Sequence, residues 1–407
     1  MRYFDACCFI RKRITLLLVG LLWVASRPAI AVDPAVIQSM DAMTFHGPET
    51  KGKVELVDGK IGKALKFSFE NDCRSAFSAI RLHPSGDWDR AAGFSFWVKG
   101  DGSNHLGGLE FIWNDDYAQR YGYAFPLNST EWQKIIVRWG DLIPEVSAIT
   151  KWIDAQGGNA PSKLVQLAFG KWWYWKDYAA HSYTIGEIRL EPTIDALPDY
   201  KPVGDPLSRV RAKLKDGHPV TIVTIGDSLT DYDHWSNKET NWPTFLKDRI
   251  KAKYGSDVTI VNPAMGGTDL RQNMVITPRW SSQTPGPDLV TIWFGSNDFD
   301  GGMRGDGFYQ AQKDAVERVR RITGGKADVM LLSTRPPMGP VDKLAEMADA
   351  TCKAARDVNA GLADIHQAYG KVAEAERPAL YAWDKVHLGK PGQELVAQSV
   401  LDALGQG

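Results

Sequence analysis

The sequence predicts a two-domain protein, in which an N-terminal antiparallel β-sandwich is followed by an α/β domain built on a parallel sheet. Three observations predict this arrangement. The chain has 407 residues, which exceeds the length of a typical single domain. Residues 32–192 contain short aromatic and β-branched segments separated by turn residues, which is typical of antiparallel sheets. Residues 218–407 alternate apolar runs with helical periodicity, which indicates a parallel sheet wound with helices.

Residues 1–31 are predicted to be a cleavable signal peptide. The basic segment Arg11-Lys12-Arg13 precedes an apolar stretch from Ile14 to Ala25, and Ala29-Ile30-Ala31 has the small residues of a cleavage site. The alternative is an uncleaved membrane anchor, but about twelve apolar residues are fewer than the roughly twenty that span a bilayer. We therefore expect cleavage after Ala31 and a secreted or periplasmic protein that has no membrane contact after cleavage.

The overall charge argues against nucleic acid as a partner. The chain has 48 basic and 49 acidic residues, and removal of residues 1–31 leaves 43 basic and 48 acidic residues, a formal charge of −5. Such a balance lacks the basic surface that binds phosphate backbones. Of the four cysteines, only Cys73 and Cys352 remain after cleavage. An interdomain disulfide and two buried free thiols both fit, with free thiols favoured. The sequence leaves the oligomeric state open.

The β-sandwich prediction rests on segments that alternate in polarity and are bounded by Gly, Asn, Asp and Ser. The clearest strands are Gly93–Val98, Gly108–Trp113, Tyr121–Phe125 and Gln133–Trp139. Residues 193–217 are predicted to be a linker, because prolines concentrate around its start and disfavour both helix and strand. A short helical pattern follows within the linker at Leu207–Leu214.

The α/β prediction rests on apolar strands that alternate with amphipathic helices. The predicted strands are Val220–Ile225, Val258–Asn262, Asp288–Phe294, Asp328–Ser333 and a short Ala363–Ile365. The predicted helices are Trp242–Tyr254, Phe308–Ile322, Val341–Ala360 and Glu394–Leu404.

Polar residues gather where these strands end, and open α/β sheets bind ligands at that edge. Gly226-Asp227-Ser228-Leu229 follows the first strand, Gly266-Gly267 the second, and Gly295-Ser296-Asn297-Asp298 the third. Near the end of the chain, Asp384 and His387 are three positions apart. A serine nucleophile needs an imidazole base, a carboxylate that orients the imidazole, and N–H donors for the oxyanion. These segments contain every one of those groups.

Through these four segments, in this order, residues 216–405 resemble the SGNH, or GDSL-type, hydrolase family. The resemblance implies that Ser228 is the nucleophile, His387 the general base and Asp384 its orienting partner. It implies an oxyanion hole formed by the backbone N–H groups of Ser228 and Gly267 and by the Asn297 side chain. It also implies a flavodoxin-like α/β/α fold and ester hydrolysis with no metal and no cofactor. The adjacent Gly266 leaves the glycine assignment ambiguous by one residue.

Taken singly, each segment has an ordinary structural interpretation. Gly-Asp-Ser-Leu is a common turn composition, and an acid beside a histidine near a helix start can simply cap the helix. Arg271 and Arg335 are candidate contacts for an acidic or sugar-bearing substrate, with surface solvation as the equal alternative. Only the coincidence of all four segments at strand ends makes catalysis the stronger interpretation.

Three tryptophans in the β domain are candidate carbohydrate-binding residues: Trp172, Trp173 and Trp175, in the segment "GKWWYWKDY". Strand geometry would place Trp173 and Trp175 on one face and Trp172 on the other, so one face would be exposed and able to stack on sugar rings. Core packing is the alternative. The whole β domain resembles a carbohydrate-binding module, a jelly-roll-like sandwich, through "FSFWVKGDGS" at 94–103. Such modules often hold calcium, but no ligand set is identifiable here.

Together these features predict a secreted serine ester hydrolase that removes O-acyl groups, most simply O-acetyl, from a carbohydrate or polysaccharide. The partner is then an acylated carbohydrate substrate. The first alternative is a lipid or general short-chain esterase. A more distant alternative is a glycan-binding protein without catalytic activity, against which the presence of Ser228, Asp384 and His387 argues. Neither the glycan nor the acyl group can be read from the sequence.

Overall fold

The computed structural model describes residues 36–38, 44–46, 51–148, 151–339 and 342–405. The predicted signal peptide, residues 1–31, lies outside the described residues. Within those ranges, no helix combines the length and the apolar character that a membrane crossing requires.

The N-terminal region forms two antiparallel sheets, as the sequence predicts. Their strands are β1 (Val36–Gln38), β2 (Thr44–His46), β3 (Gly52–Asp58), β4 (Lys63–Phe69), β5 (Ala76–Arg81), β6 (Gly93–Lys99), β7 (Leu106–Trp113), β8 (Asp116–Pro126), β9 (Gln133–Arg138), β10 (Ile143–Pro144), β11 (Leu164–Lys171) and β12 (His181–Glu191). The first sheet has the order β3-β4-β12-β6-β9, with β1 also paired to β12. The second has the order β10-β8-β7-β11-β5-β2.

Aromatic side chains from both antiparallel sheets share one apolar core. Phe96 of β6 contacts Phe125 of β8 and Phe169 of β11, with ring centroids 5.3 and 5.6 Å apart. Phe94 contacts Phe111 in the same edge-to-face manner at 5.4 Å. Alternate residues of β6 point into this core because successive side chains of a strand lie on opposite faces.

The C-terminal region forms a five-stranded parallel sheet with helices on both faces. Its strands are β13 (Val220–Gly226), β14 (Val258–Val261), β15 (Leu289–Trp293), β16 (Asp328–Leu332) and β17 (Gly361–Ala363). Its helices are α1 (Ser208–Lys215), α2 (Trp242–Tyr254), α3 (Leu270–Val275), α4 (Pro278–Ser281), α5 (Ser296–Asp300), α6 (Gly305–Ile322), α7 (Ala345–Asp357), α8 (Ile365–Gly370) and α9 (Lys390–Gly405). The strand order is β14-β13-β15-β16-β17.

Each buried strand of this sheet contributes to two cores. On β16, Val329 and Leu331 pack toward α6 and α7, whereas Met330 and Leu332 pack toward α2 and α9. The order reverses at β13, which lies between β14 and β15, and this reversal opens a crevice at the carboxyl ends of the strands. The turn after β13 therefore lies where a ligand site is expected.

The outer face of the second antiparallel sheet packs against the parallel-sheet region, and both belong to one compact unit. Ser147 donates to the buried Asp269 carboxylate at 2.7 Å, and Arg318 donates to the carbonyls of Gly140 and Asp141 at 2.7 and 3.0 Å. These bonds satisfy polar groups that the contact removes from water. The change from antiparallel to parallel strands falls between β12 and β13, and the domain boundaries at 192 and 218 stay a prediction.

Several local expectations need correction. The helix predicted at Val341–Ala360 is shorter, Ala345–Asp357, and is preceded by Leu344 in the left-handed region at φ 70°. The last strand is Gly361–Ala363, two residues earlier than predicted. No disulfide joins Cys73 to Cys352, in agreement with the favoured alternative; Cys73 is buried, Cys352 is half-buried, and burial raises the pKa of Cys352 to about 11.

Candidate active site

Ser228 lies in the tight turn that follows β13. The N–H groups of Thr230 and Asp231 both donate to the carbonyl of Asp227 at 3.0 Å. The Leu229 N–H donates to the Asp227 carboxylate at 2.9 Å. These bonds turn the chain out of the sheet at once, so the half-buried Ser228 side chain stands at the carboxyl edge.

His387 and Asp384 reach Ser228 from the loop before α9. The Nε2 atom of His387 lies 2.8 Å from the Ser228 Oγ atom, and its Nδ1 atom lies 2.5 Å from the Asp384 carboxylate. Because a carboxylate accepts a hydrogen bond, Nδ1 carries the proton and Nε2 presents its lone pair to the serine hydroxyl. The three residues that the sequence predicts to act together are therefore within hydrogen-bonding distance.

Asp384 holds this loop in shape as well as orienting the imidazole. Its other carboxylate oxygen accepts the backbone N–H groups of Val386 and His387 at 3.0 and 2.9 Å. Partial burial opposes ionisation, but the hydrogen bonds from the His387 ring and from these N–H groups keep the pKa of Asp384 below its usual value. The group is thus a carboxylate across the neutral pH range.

The loop after β14 brings two glycines close to Ser228. A side chain at Gly266 would lie 3.3 Å from the Ser228 Cβ atom, and Gly267 has φ 80°, which favours glycine. The Gly266 N–H donates to the Asp231 carboxylate at 2.7 Å. Since the Gly266 donor is occupied, Gly267 stays the candidate oxyanion donor of this pair.

Asn297 is the second residue of the short helix α5 and is half-buried. Its Nδ2 atom donates to the Thr268 carbonyl at 2.9 Å, which ties it to the glycine loop and leaves a second N–H on the same nitrogen. The neighbouring Asp298 is fully buried and accepts the N–H groups of Gly295 and Leu270 at 3.0 and 3.1 Å. Burial, with the nearby Asp269, raises the pKa of Asp298 well above its usual value.

The sequence favours a solvated loop for His234, but in the structure its ring is stacked on that of the candidate base. The ring of His234 lies 4.1 Å from that of His387, and its Nδ1 atom lies 2.8 Å from the Ser236 Oγ atom. Burial, with the charges of His387 and Lys176, lowers the pKa of His234. A neutral His234 therefore covers one face of His387. Its position in the loop just after Ser228 was the available signal.

The same loop is fixed by a buried amide that the sequence did not single out. Asn237 donates to the carbonyls of Ser228 and Asp231 at 2.7 and 2.8 Å, and accepts from the Gln393 side chain at 2.9 Å. Gln393 lies on α9, so this amide links the turn that contains Ser228 to the helix that follows His387.

The antiparallel region also reaches the site. Lys176, in the left-handed region at φ 48°, donates from Nζ to the Gly266 carbonyl at 2.6 Å. Arg279 of α4 donates to the Trp175 carbonyl at 3.3 Å. The turn after β11 is therefore one wall of the glycine loop.

The strand geometry expected for the three tryptophans is wrong. β11 ends at Lys171, and Trp173–Trp175 form a short 3-10 turn. Trp172 and Trp175 are buried, 5% and 2% exposed, so neither presents a face to a sugar. They pack over Gly108, where any side chain would overlap them, because the parallel-sheet region covers this face of the sheet. Trp173 alone is exposed, at 56%.

The two arginines considered as substrate contacts are also buried, 2% exposed for Arg271 and 3% for Arg335. Arg335 donates to the carbonyls of Pro336 and Val386 and lies over the Tyr381 ring, so it supports the loop that carries His387. It acts as a structural anchor and not at the surface.

Within the described ranges, one group of side chains has atoms suited to a metal, formed by His105, Asp177 and His181 in the antiparallel region. His105 Nδ1 and the Asp177 carboxylate already satisfy each other at 2.8 Å. We therefore assign these residues to a hydrogen-bonded pair beside a buried histidine.

Residues 224–395 match the family model described as the GDSL-like Lipase/Acylhydrolase family. No curated protein sequence matches the chain. Among solved structures, an acetylxylan esterase from Geobacillus stearothermophilus is 19% identical over 47% of this chain and 97% of its own, with a TM-score of 0.40. A lipase/acylhydrolase from Enterococcus faecalis is 18% identical over 46% of this chain and 96% of its own, with a TM-score of 0.39.

Proposed function

Residues 224–395 belong to the GDSL-like lipase/acylhydrolase family, and from this premise we propose that the chain is a serine ester hydrolase acting on an O-acylated carbohydrate. The single observation that supports the chemistry is the hydrogen-bonded line from Ser228 through His387 to Asp384. O-acetyl is the simplest acyl group for this role. We also propose that the N-terminal region is a β-sandwich, because its two sheets share one aromatic core, and that the C-terminal region has a flavodoxin-like fold, because of its strand order.

The reaction begins when His387 Nε2 takes the proton of Ser228 as the Oγ atom attacks the acyl carbon. The resulting oxyanion accepts hydrogen bonds from the N–H groups of Ser228 and Gly267 and from the free amide hydrogen of Asn297. The sugar oxygen then leaves with the proton from His387 Nε2, and an acyl-Ser228 ester remains. Asp384 stays ionised throughout and stabilises the imidazolium.

The second half of the reaction reverses these roles. His387 takes a proton from water, the hydroxyl attacks the acyl-Ser228 carbon, and the same donors stabilise the second oxyanion. Collapse releases the carboxylic acid, and the proton returns to the Ser228 Oγ atom. Every group in this scheme belongs to the chain, and water is the sole co-substrate.

The test measures acetate released from acetylated xylan, mannan and glucan, together with hydrolysis of p-nitrophenyl acetate. Ser228→Ala should lower the rate by several powers of ten. Ser399→Ala is the matched control, because that hydroxyl only closes a bond to the Leu395 carbonyl within α9. Ordinary turnover by Ser228→Ala would end the proposal, and so would a wild-type chain that cleaves no ester.

A lipid or general short-chain esterase is the second candidate, since the Ser228 chemistry is the same for any acyl group. Rates on p-nitrophenyl acetate, butyrate and octanoate separate the two. A rate that rises with chain length favours the lipid esterase, whereas a preference for acetate favours deacetylation. A glycan-binding protein without turnover would bind the polysaccharides and leave every ester intact.

We propose in addition that the chain is exported and cleaved after Ala31, on the strength of the basic and apolar segments that precede it. N-terminal sequencing of the protein recovered from outside the cytoplasm should begin at Val32. A mature chain that starts at Met1 would contradict this.

A further inference from the structure

Two exposed tryptophans stand beside His387. Trp383 is 82% exposed and Trp235 is 46% exposed, and their ring centroids are 5.2 Å apart at 31°. The ring of Trp235 also meets the His387 ring, at 5.6 Å and 68°. Single exposed aromatic rings are common on protein surfaces, but two rings in contact beside a candidate active site form a contiguous apolar patch of the kind that binds ligands. We call Trp235 and Trp383 the tryptophan pair.

Trp383 is held by the same turn that holds Asp384. The Lys385 N–H donates to the Ala382 carbonyl at 3.0 Å, which makes Trp383 and Asp384 the two central residues of a β-turn. The Ala382 N–H donates to the His387 carbonyl at 2.8 Å. The position of the Trp383 backbone relative to His387 is therefore set by a closed network of backbone bonds, and the Trp235 ring packs against the indole.

Trp235 is held from the nucleophile side. The Asn237 N–H donates to the His234 carbonyl at 3.0 Å, so Trp235 and Ser236 are the centre of a second turn. Asn237 is buried and bonds the carbonyl of Ser228. The tryptophan pair thus joins two turns, one bonded through Asn237 to the Ser228 carbonyl and the other containing Asp384.

We propose that the tryptophan pair is the subsite for the sugar ring that carries the scissile ester, an inference that rests on the proposed function. The negative face of an indole attracts the C–H face of a pyranose ring, and burial of that apolar face adds to the attraction. The exposed polar side chains of Asp233 and Lys385 lie on the same two loops, each two positions from one of the tryptophans, and are suited to sugar hydroxyl groups.

The exposure of Trp383 argues for a sugar and against an acyl chain. A fatty acyl chain is stabilised in an enclosed apolar channel, where most of its surface leaves water. Trp383 is 82% exposed, so it presents an open face that covers one side of a flat ring. The inference also moves the predicted sugar contact away from Trp172 and Trp175, which are buried.

The test compares kcat/KM for acetylated xylo-, manno- and gluco-oligosaccharides with kcat/KM for p-nitrophenyl acetate, which has no sugar ring. Trp383→Ala should lower the first value about tenfold more than the second, mainly through KM, as loss of one stacked aromatic predicts. Trp383→Phe should recover most of the loss, because it restores an aromatic face. Tyr117→Ala is the matched control: Tyr117 is 59% exposed on β8, with its ring against Arg120. It should leave the ratio of the two values unchanged.

Each other outcome overturns the inference in a recognisable way. An equal loss on both ester classes would make Trp383 a positioning residue for Asp384. A selective loss on p-nitrophenyl octanoate would identify an acyl site, and a change in sedimentation with no change in specificity would identify contact with a second copy.

A wild-type chain that cleaves p-nitrophenyl acetate but no sugar ester overturns the proposed sugar subsite and leaves the serine hydrolase proposal intact. A chain that cleaves neither overturns the proposed function itself. Thermal unfolding of each variant checks that it folds.

Discussion

Asp227 stands next to Ser228 and is fully buried, so its ionisation couples the stability of the active-site turn to pH. Burial raises the pKa of Asp227 to about 6 from 3.8, although the Leu229 N–H and the charges of Arg335 and His387 oppose the change. Between these two values the unfolded chain releases the proton and the folded chain keeps it. The stability that Asp227 contributes is therefore complete at low pH and is lost as pH rises through about 6.

The magnitude follows from the two pKa values. A pKa shift of one unit corresponds to about 1.4 kcal/mol. A rise of the Asp227 pKa from 3.8 to about 6 therefore makes ionisation cost about 3 kcal/mol more in the folded state than in the unfolded state. About 2 kcal/mol of this falls between pH 4 and pH 7.5. Asp227→Asn removes the titration and keeps an oxygen for the Leu229 N–H.

The assay is urea unfolding of both proteins across this pH range. The free energy of unfolding of Asp227→Asn, minus that of the wild type, should rise by about 2 kcal/mol from pH 4 to pH 7.5. Any cost of the buried amide is the same at every pH and cancels from the slope. Asp233→Asn, an exposed carboxylate in the same loop, should give a flat difference. A flat or falling difference for Asp227→Asn would refute the reasoning.

Three further predictions concern the oxyanion donors and the contact between the two regions. Asn297→Ala should lower kcat on p-nitrophenyl acetate by roughly 10²–10³-fold with little change in KM, because it removes one proposed oxyanion donor. An unaltered kcat would exclude that role for Asn297. Gly267→Ala should lower the free energy of unfolding in urea by about 1–2 kcal/mol, because a side chain is strained at the φ of 80° that Gly267 adopts. An unchanged urea midpoint would show that alanine is not strained at this position. Arg318→Ala should lower the free energy of unfolding by about 3 kcal/mol in the same assay, because the carbonyls of Gly140 and Asp141 lose a buried charged donor. A decrease of less than about 1 kcal/mol would show that water replaces the guanidinium group.

Much of the parallel-sheet region could be predicted from periodicity. The helix predicted at Trp242–Tyr254 has those bounds, and its ends are marked by Asn241, whose side chain accepts the Thr244 N–H, and by Gly255 at φ 72°. Predicted strands agree with β13, β14, β15 and β16 to within a residue or two. Short helices such as α3 and α4 were not foreseen, because four to six residues show too little of a 3.6-residue period.

The aromatic segment at 172–175 shows where sequence reasoning failed. If residues 172–175 continued the strand, alternate side chains would lie on opposite faces and one face would be exposed to solvent. In the structure β11 ends at Lys171, and the parallel-sheet region covers the outer face of the second sheet. Burial of Trp172 and Trp175 depends on that covering region, which lies far along the chain. Conversely, Trp383 precedes Asp384 directly, and a tryptophan in a polar turn beside a candidate catalytic acid was a signal available from the sequence alone.

The sequence by itself determined the types of element, the order of the four polar segments and the chemistry available to Ser228, Asn297, Asp384 and His387, since these depend on residue type and local spacing. Only the tertiary structure decided which of these groups meet, which tryptophans are exposed and which carboxyl groups are buried. The reason is physical: a hydrogen bond of 2.8 Å between Ser228 and His387, or the raised pKa of Asp227, depends on how distant segments pack, and local propensity carries no information about that.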